Sequence, residues 1–281
     1  MVRTPSPLHA DLHLLTSAEC DLYRVFSTNP HSKYNNIDND VVRVSLALRQ
    51  VIDFTTIVST NNDPVKENHW RRTFMKAVCE IITGFRQERP LLETPSIPMA
   101  AWMHLRIVTI SIRPFLILSR ADLGLSPTVH RAGNPLETSL PTSLAFLTPL
   151  RKVEILLQLI MGLQNDILGW EKDAATENPL SAIQIEIAQG RSARVALTHT
   201  VRTHNELVKH CMKYAEMVWE KPMDAECAYQ HKRHGSLSTA GWKSRTAMDN
   251  EAENVRRYLQ LILGFANGMA MWMAVSKRYM V

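Results

Sequence analysis

Between Gln164 and Asp173 the sequence reads Gln-Asn-Asp-Ile-Leu-Gly-Trp-Glu-Lys-Asp. Asn165, Gly169 and Asp173 stand four residues apart, and each such step turns a helix only about 40° past a full circle. They share one face. Lys172, seven residues after Asn165, falls within about 20° of it. An amide oxygen, a carboxylate and an ammonium therefore point the same way. Hard oxygen donors suit magnesium, whose coordination is often completed by substrate phosphate oxygens. The lysine would sit beside such a phosphate as a point charge. A polar stripe on a helix is more often a solvated face, so the rest of the chain has to decide.

The elements that position this stripe are helical. Apolar residues recur at helical spacing over 40–60, 64–86, 99–123, 143–174, 179–187, 192–220 and 250–279, and no run alternates as a strand would. Three stretches interrupt the pattern: 27–39, rich in Asn and Ser; 124–141, with Pro127, Gly133, Pro135 and Pro141; and the polar 222–249. No repeat with a period of roughly 20–50 residues appears, which argues against a solenoid. The expectation is an all-α fold, a single helical bundle.

The totals fit that expectation. With 45% apolar and 21% charged residues in 281, the balance is that of an ordinary globular chain. Cys20, Cys79, Cys211 and Cys227 are scattered without a CxxC pair, as reduced thiols of a cytoplasmic protein would be. No apolar leader follows the first residues. The apolar stretch 153–163 is far short of the roughly 18 residues a membrane span needs. The net charge of +5 is spread along the chain without a basic, aromatic-laced stripe, so no nucleic-acid partner is expected. A slight positive excess also suits an anionic substrate.

The decapeptide resembles the metal motif of class I terpene synthases, an Asn-Asp pair with Ser or Thr at the fifth position and Glu at the ninth. Carried over by position, the resemblance makes Asn165 and Asp173 magnesium ligands. Gly169 stands where the hydroxyl ligand belongs, and Asp173 is one methylene shorter than Glu. Lys172 stands where many microbial members have a diphosphate contact. Near the C-terminus, Trp272 to Tyr279 resembles the ending of microbial members, which would make Arg278 and Tyr279 diphosphate ligands. Trp102 to Thr109 resembles the helix carrying the diphosphate-sensing arginine, here Arg106, with Thr109 and Ile110 where that helix bends on substrate binding. Trp70 to Phe74 and Thr203 to Val208 resemble the flanking helices. The likeness runs in order from about residue 40 to the end.

The family's aspartate-rich DDxxD motif is not in the sequence. By register it belongs near Asp11-Leu12-His13-Leu14-Leu15, while Asp53 and Asp63 are lone carboxylates out of register. The expected organisation is therefore a divergent or truncated segment, 1–39, before a class I terpene synthase-like α domain, 40–281, which would lack the family's first helices. The resemblance implies a magnesium-dependent sesquiterpene cyclase that ionises farnesyl diphosphate, in a family that often forms homodimers. The fungal humulene-forming synthases, with their divergent metal motifs, are a candidate relative that no residue singles out. Trp102, Phe115, Phe265 and Trp272 are candidates for aromatic faces around a carbocation, although core packing is the commoner role. Met161, Met269, Met271 and Met273 would shape the apolar wall. A helical protein that keeps the diphosphate pocket without turnover is the second expectation. A chain-elongating prenyl diphosphate synthase ranks below both, since it needs two aspartate-rich motifs.

Overall fold

The structure, a computed structural model, describes residues 46–51, 64–94, 96–125, 148–222 and 245–276. All regular structure among the described residues is helical. They fall into two compact units, one holding the described residues up to 125 with 177–180, the other holding the remainder.

The first unit is built from α1 (Pro64–Leu92), α2 (Met99–Thr109) and α3 (Arg113–Asp122); residues 46–51 are helical as well. Trp70, Phe74 and Ala77 recur on one face of α1 and pack with Ile117 and Ala121 of α3, flanked by Leu46 and Leu48. This is the i, i+4, i+7 signature of an amphipathic helix. An ion pair between Arg113 and Glu80 joins the same two helices. The sequence pattern ends α1 at 86, yet the helix continues to Leu92 with Pro90 inside it. Proline removes one hydrogen bond, but its fixed φ is itself helical. The helix closes only two residues later, where the Thr94 hydroxyl donates to the Pro90 carbonyl at 3.0 Å.

The pattern also predicts one helix over 99–123, and the structure breaks it into α2 and α3, bent by 45° at 110–112. Three local causes act together. The Ser111 hydroxyl donates to the Thr109 carbonyl at 3.0 Å, Ser111 takes φ +64°, and Pro114 has no N–H to carry a ladder across.

The second unit comprises α4 (Pro149–Leu168), α5 (Trp170–Ala175), α6 (Ala182–Ala188), α7 (Ala193–Glu220) and α8 (Arg245–Val275). Helix starts are capped by hydroxyls: Thr148 accepts from the Arg151 N–H, Ser181 from Gln184 and Ser192 from Val195. Each satisfies one of the donors a helix N-terminus leaves open. Helix α4 is the core of the unit and is buried over most of its length, from Leu150 to Asp166. It packs against α7 and α8. Its buried Glu154 accepts from the Tyr258 hydroxyl of α8 at 2.7 Å and from Arg151 at 2.9 Å. A buried carboxylate without such partners would be costly.

Helix α8 carries a longer apolar run than the 153–163 stretch. By length and composition, 249–275 passes as a membrane span, with a mean hydropathy of 1.3. Core helices pass the same test, and one side of this one buries Val255, Tyr258, Leu259, Ile262 and Met273. Its other side leaves Leu261, Met271, Trp272 and Val275 exposed. Helix α8 also begins at 245, inside the stretch expected to be a polar loop.

Candidate active site

The metal-type stripe lies where α4 passes into α5. Gly169 separates them with φ −89° and ψ 0°, but the hydrogen-bond ladder does not stop. The Gly169 N–H donates to the Asn165 carbonyl at 2.9 Å, and the Asp173 N–H to the Gly169 carbonyl at 2.9 Å. Asn165, Gly169 and Asp173 thus occupy successive turns of one continuous helical path. Asn165, Lys172 and Asp173 are each half-buried, an exposure that lets a polar head reach a ligand while its stem packs.

Asp166 points elsewhere. It is 1% exposed, and its Oδ2 accepts the N–H of Ala182, the first residue of α6, at 2.9 Å. A carboxylate at a helix N-terminus satisfies an open donor and faces the positive end of the helix dipole. Two adjacent residues of one motif therefore divide the work: Asn165 faces the stripe, and Asp166 anchors α6. The sequence carries the Asp but no sign of its partner sixteen residues on.

Further along α6, buried Glu186 meets Arg191 at 2.8 Å and His199 Nδ1 at 2.5 Å, tying α6 to α7. Among the described residues no three His, Cys, Asp or Glu side chains gather as a metal cluster. The Asn165/Asp173 stripe supplies one amide and one carboxylate oxygen two turns apart. That donor set fits a hard divalent ion completed by water and phosphate oxygens. Gly169 contributes no side-chain ligand.

In the first unit, Arg106 sits on α2 with its guanidinium carbon 5.4 Å from the centroid of the Trp102 ring. Trp102 is 1% exposed, so the indole is a core residue whose face is already covered by a cation. That is a packing role, the commoner of the two weighed from sequence. One turn beyond Arg106, Thr109 ends the helix at the break. His104, also on α2, has its pKa lowered by burial. Met161 and Met273 are buried in the core, whereas Met271 and Trp272 are exposed on α8. Arg278 and Tyr279, and the segments holding Asp11, Asp53 and Asp63, lie outside the described residues.

A profile of terpene synthase family 2, C-terminal metal binding, matches residues 41–210, which span both Arg106 and the stripe. The chain belongs to that terpene synthase family. No curated protein matches it. Among solved structures, α-eudesmol synthase aligns over 98% of this chain and 74% of its own, at 12% identity and a TM-score of 0.63. A cucumene synthase variant aligns over 99% and 76%, at 16% identity and 0.62. At such identities the likeness establishes the fold, the all-α terpene synthase architecture. The terpene synthase chain described here thus spans about three quarters of the length of those two neighbours.

Proposed function

We propose that this terpene synthase is a class I cyclase that ionises a prenyl diphosphate, farnesyl diphosphate, in a magnesium-dependent reaction of the microbial sesquiterpene type. One observation carries the reading. The ladder through Asn165, Gly169 and Asp173 is unbroken, so an amide and a carboxylate oxygen share a face in a family whose matched domain binds metal. When bound, a hard divalent ion supplies the charge that makes diphosphate a better leaving group.

In this reading Asn165 and Asp173 hold that ion. Arg106 and Lys172 grip the diphosphate, as Arg278 and Tyr279 do from the C-terminal end. Charge developing on the departing oxygens is thereby met by fixed cations rather than by reorganising water. The hydrocarbon tail needs a dry wall, because water would quench a cation early. The exposed apolar side of α8, with Leu261, Met271 and Trp272, supports such a wall; soluble proteins rarely leave such patches without a use.

Gly169 favours a second reading, a terpene synthase-like protein that binds diphosphate without turnover. One experiment separates the two. The purified chain is incubated with farnesyl diphosphate and magnesium, and the extract is analysed by gas chromatography–mass spectrometry. A sesquiterpene that disappears without magnesium and in Asn165→Ala supports the cyclase. A folded, helical protein that yields no product while binding pyrophosphate supports the second reading.

A further inference from the structure

Helices α1 and α2 meet at Gly84. A Cβ built there would lie 2.9 Å from Thr109 Cγ2 and 3.1 Å from Val108 Cγ1. Both neighbours are β-branched, with stiff χ1, and they have little freedom to yield. Thr109 is 5% exposed, and its Oγ1 is buried with no hydrogen-bond partner among the described residues. A helical threonine usually turns its hydroxyl to a carbonyl of the preceding turn. Here the methyl is seated on Gly84 and the hydroxyl is left unpaired, so the tertiary contact has overridden the local preference.

The next residues are the break. The Ile110 N–H returns to the Arg106 carbonyl at 3.0 Å, and the Ser111 N–H tightens to Val108 at 3.2 Å. Ser111 then takes φ +64°, a conformation that costs a non-glycine residue free energy and persists only where its surroundings hold it. Two locally unfavourable choices, an orphaned hydroxyl and a left-handed serine, thus stand within three residues of one close contact. Arg106 is a single turn away, and its own carbonyl closes the last hydrogen bond of the helix.

We infer that Gly84 is a positioning residue: its lack of a side chain seats the Thr109 methyl, fixes where α2 stops, and thereby sets the placement of Arg106. The inference rests on the reading of Arg106 as a diphosphate ligand. A Cβ at Gly84 must push α2 away by about 0.5 Å to restore ordinary contact, the difference between 2.9 Å and the 3.4 Å at which it begins. Misplacement by about 1 Å can cost roughly a hundredfold where geometry matters, so half of that predicts about a tenfold loss.

The contact also allows a methyl to be moved from one side to the other. Gly84→Ala overfills it and Thr109→Ser empties it, whereas the double variant returns one methyl to the same space. Binding of inorganic pyrophosphate with magnesium to the full chain is measured by calorimetry. Hydrogen exchange of the 108–112 amides is followed in parallel. Each single variant is expected to bind more weakly, Gly84→Ala by about tenfold, and to exchange faster at the break. The double variant should return to within about twofold of the parent, a coupling that independent sites do not show.

Wild-type binding in either single variant overturns the inference, and so does a double variant that is no better than its parents. If Gly84→Ala does not fold, Thr109→Ser and the double variant still decide. Arg106→Ala separates the two levels. Unchanged pyrophosphate binding in that variant refutes the diphosphate reading, while the exchange pattern still tests the seat at Gly84.

Discussion

Replacing Asp166 by Ala tests whether the second residue of the Asn-Asp pair is an anchor rather than a ligand. Its Oδ2 accepts the Ala182 N–H at 2.9 Å. Asp166, Ser181 and Ala182 are all 1% exposed or less, so no bulk water replaces the lost acceptor. A buried hydrogen bond to a charged group contributes about 1.5–3 kcal/mol. The carboxylate's position at the start of α6 adds about 0.3–1 kcal/mol through the helix dipole. The loss should be about 2–4 kcal/mol, or roughly 5–10 °C in Tm for a chain of this size. Asp166→Asn keeps an acceptor oxygen but not the charge, and should lose about half as much. Urea denaturation followed by circular dichroism measures both variants, with pyrophosphate and magnesium binding measured on the folded fraction. A loss below about 0.5 kcal/mol in Asp166→Ala, or equal losses in the two variants, would refute the anchoring argument. Normal stability with abolished metal binding would make Asp166 a ligand instead.

Other residues give independent tests. Tyr258→Phe removes the donor to buried Glu154 and should destabilise the chain by about 1.5–3 kcal/mol in urea titrations, with little added loss when Glu154→Gln is combined with it. Burial lowers the His104 pKa below its ordinary value of 6.5. The unfolded chain therefore takes up that proton first, and stability falls as pH drops below about 6.5 until the folded-state value is passed. Denaturant midpoints from pH 7.5 to 5 should fall less for His104→Gln than for the parent. Burial pushes the Cys211 thiol up to about 11, so at pH 8 it should resist alkylation until urea unfolds the protein; fast labelling of the native chain, read by mass spectrometry, would contradict this.

What the sequence made legible follows the reach of each interaction. Helix bodies were readable because Trp70, Phe74 and Ala77, or the buried residues of α4, repeat a period written locally. The helix start expected at 192 carries its own cap, Ser192, within three residues of the donor it satisfies, whereas the start expected at 179 lies two residues before the capping Ser181. The helix through Pro90 runs six residues past the end of its apolar pattern at 86, since the bond a proline forfeits is only one of many in a 29-residue helix. The break at 110–112 looks like continuous helix in its hydrophobic pattern. Pro114 was its one local sign, while the close contact with Thr109 at Gly84 is supplied by α1. Asp166 is the same case: its partner is brought to it by the fold.

Gly169 shows where sequence and structure have to be read together. Glycine inside a helical path costs roughly 0.5–1 kcal/mol relative to alanine. That cost is justified where φ must be positive, but at φ −89°, ψ 0° any residue could stand. The backbone therefore does not require a glycine between Asn165 and Asp173. The stripe therefore offers two side-chain oxygen donors where a hydroxyl at its middle position would make a third. A serine there would carry its own ligand and a better helix propensity. If the stripe holds a metal ion, the middle of the motif contributes no side-chain oxygen to it, and the coordination has to be completed from outside the stripe.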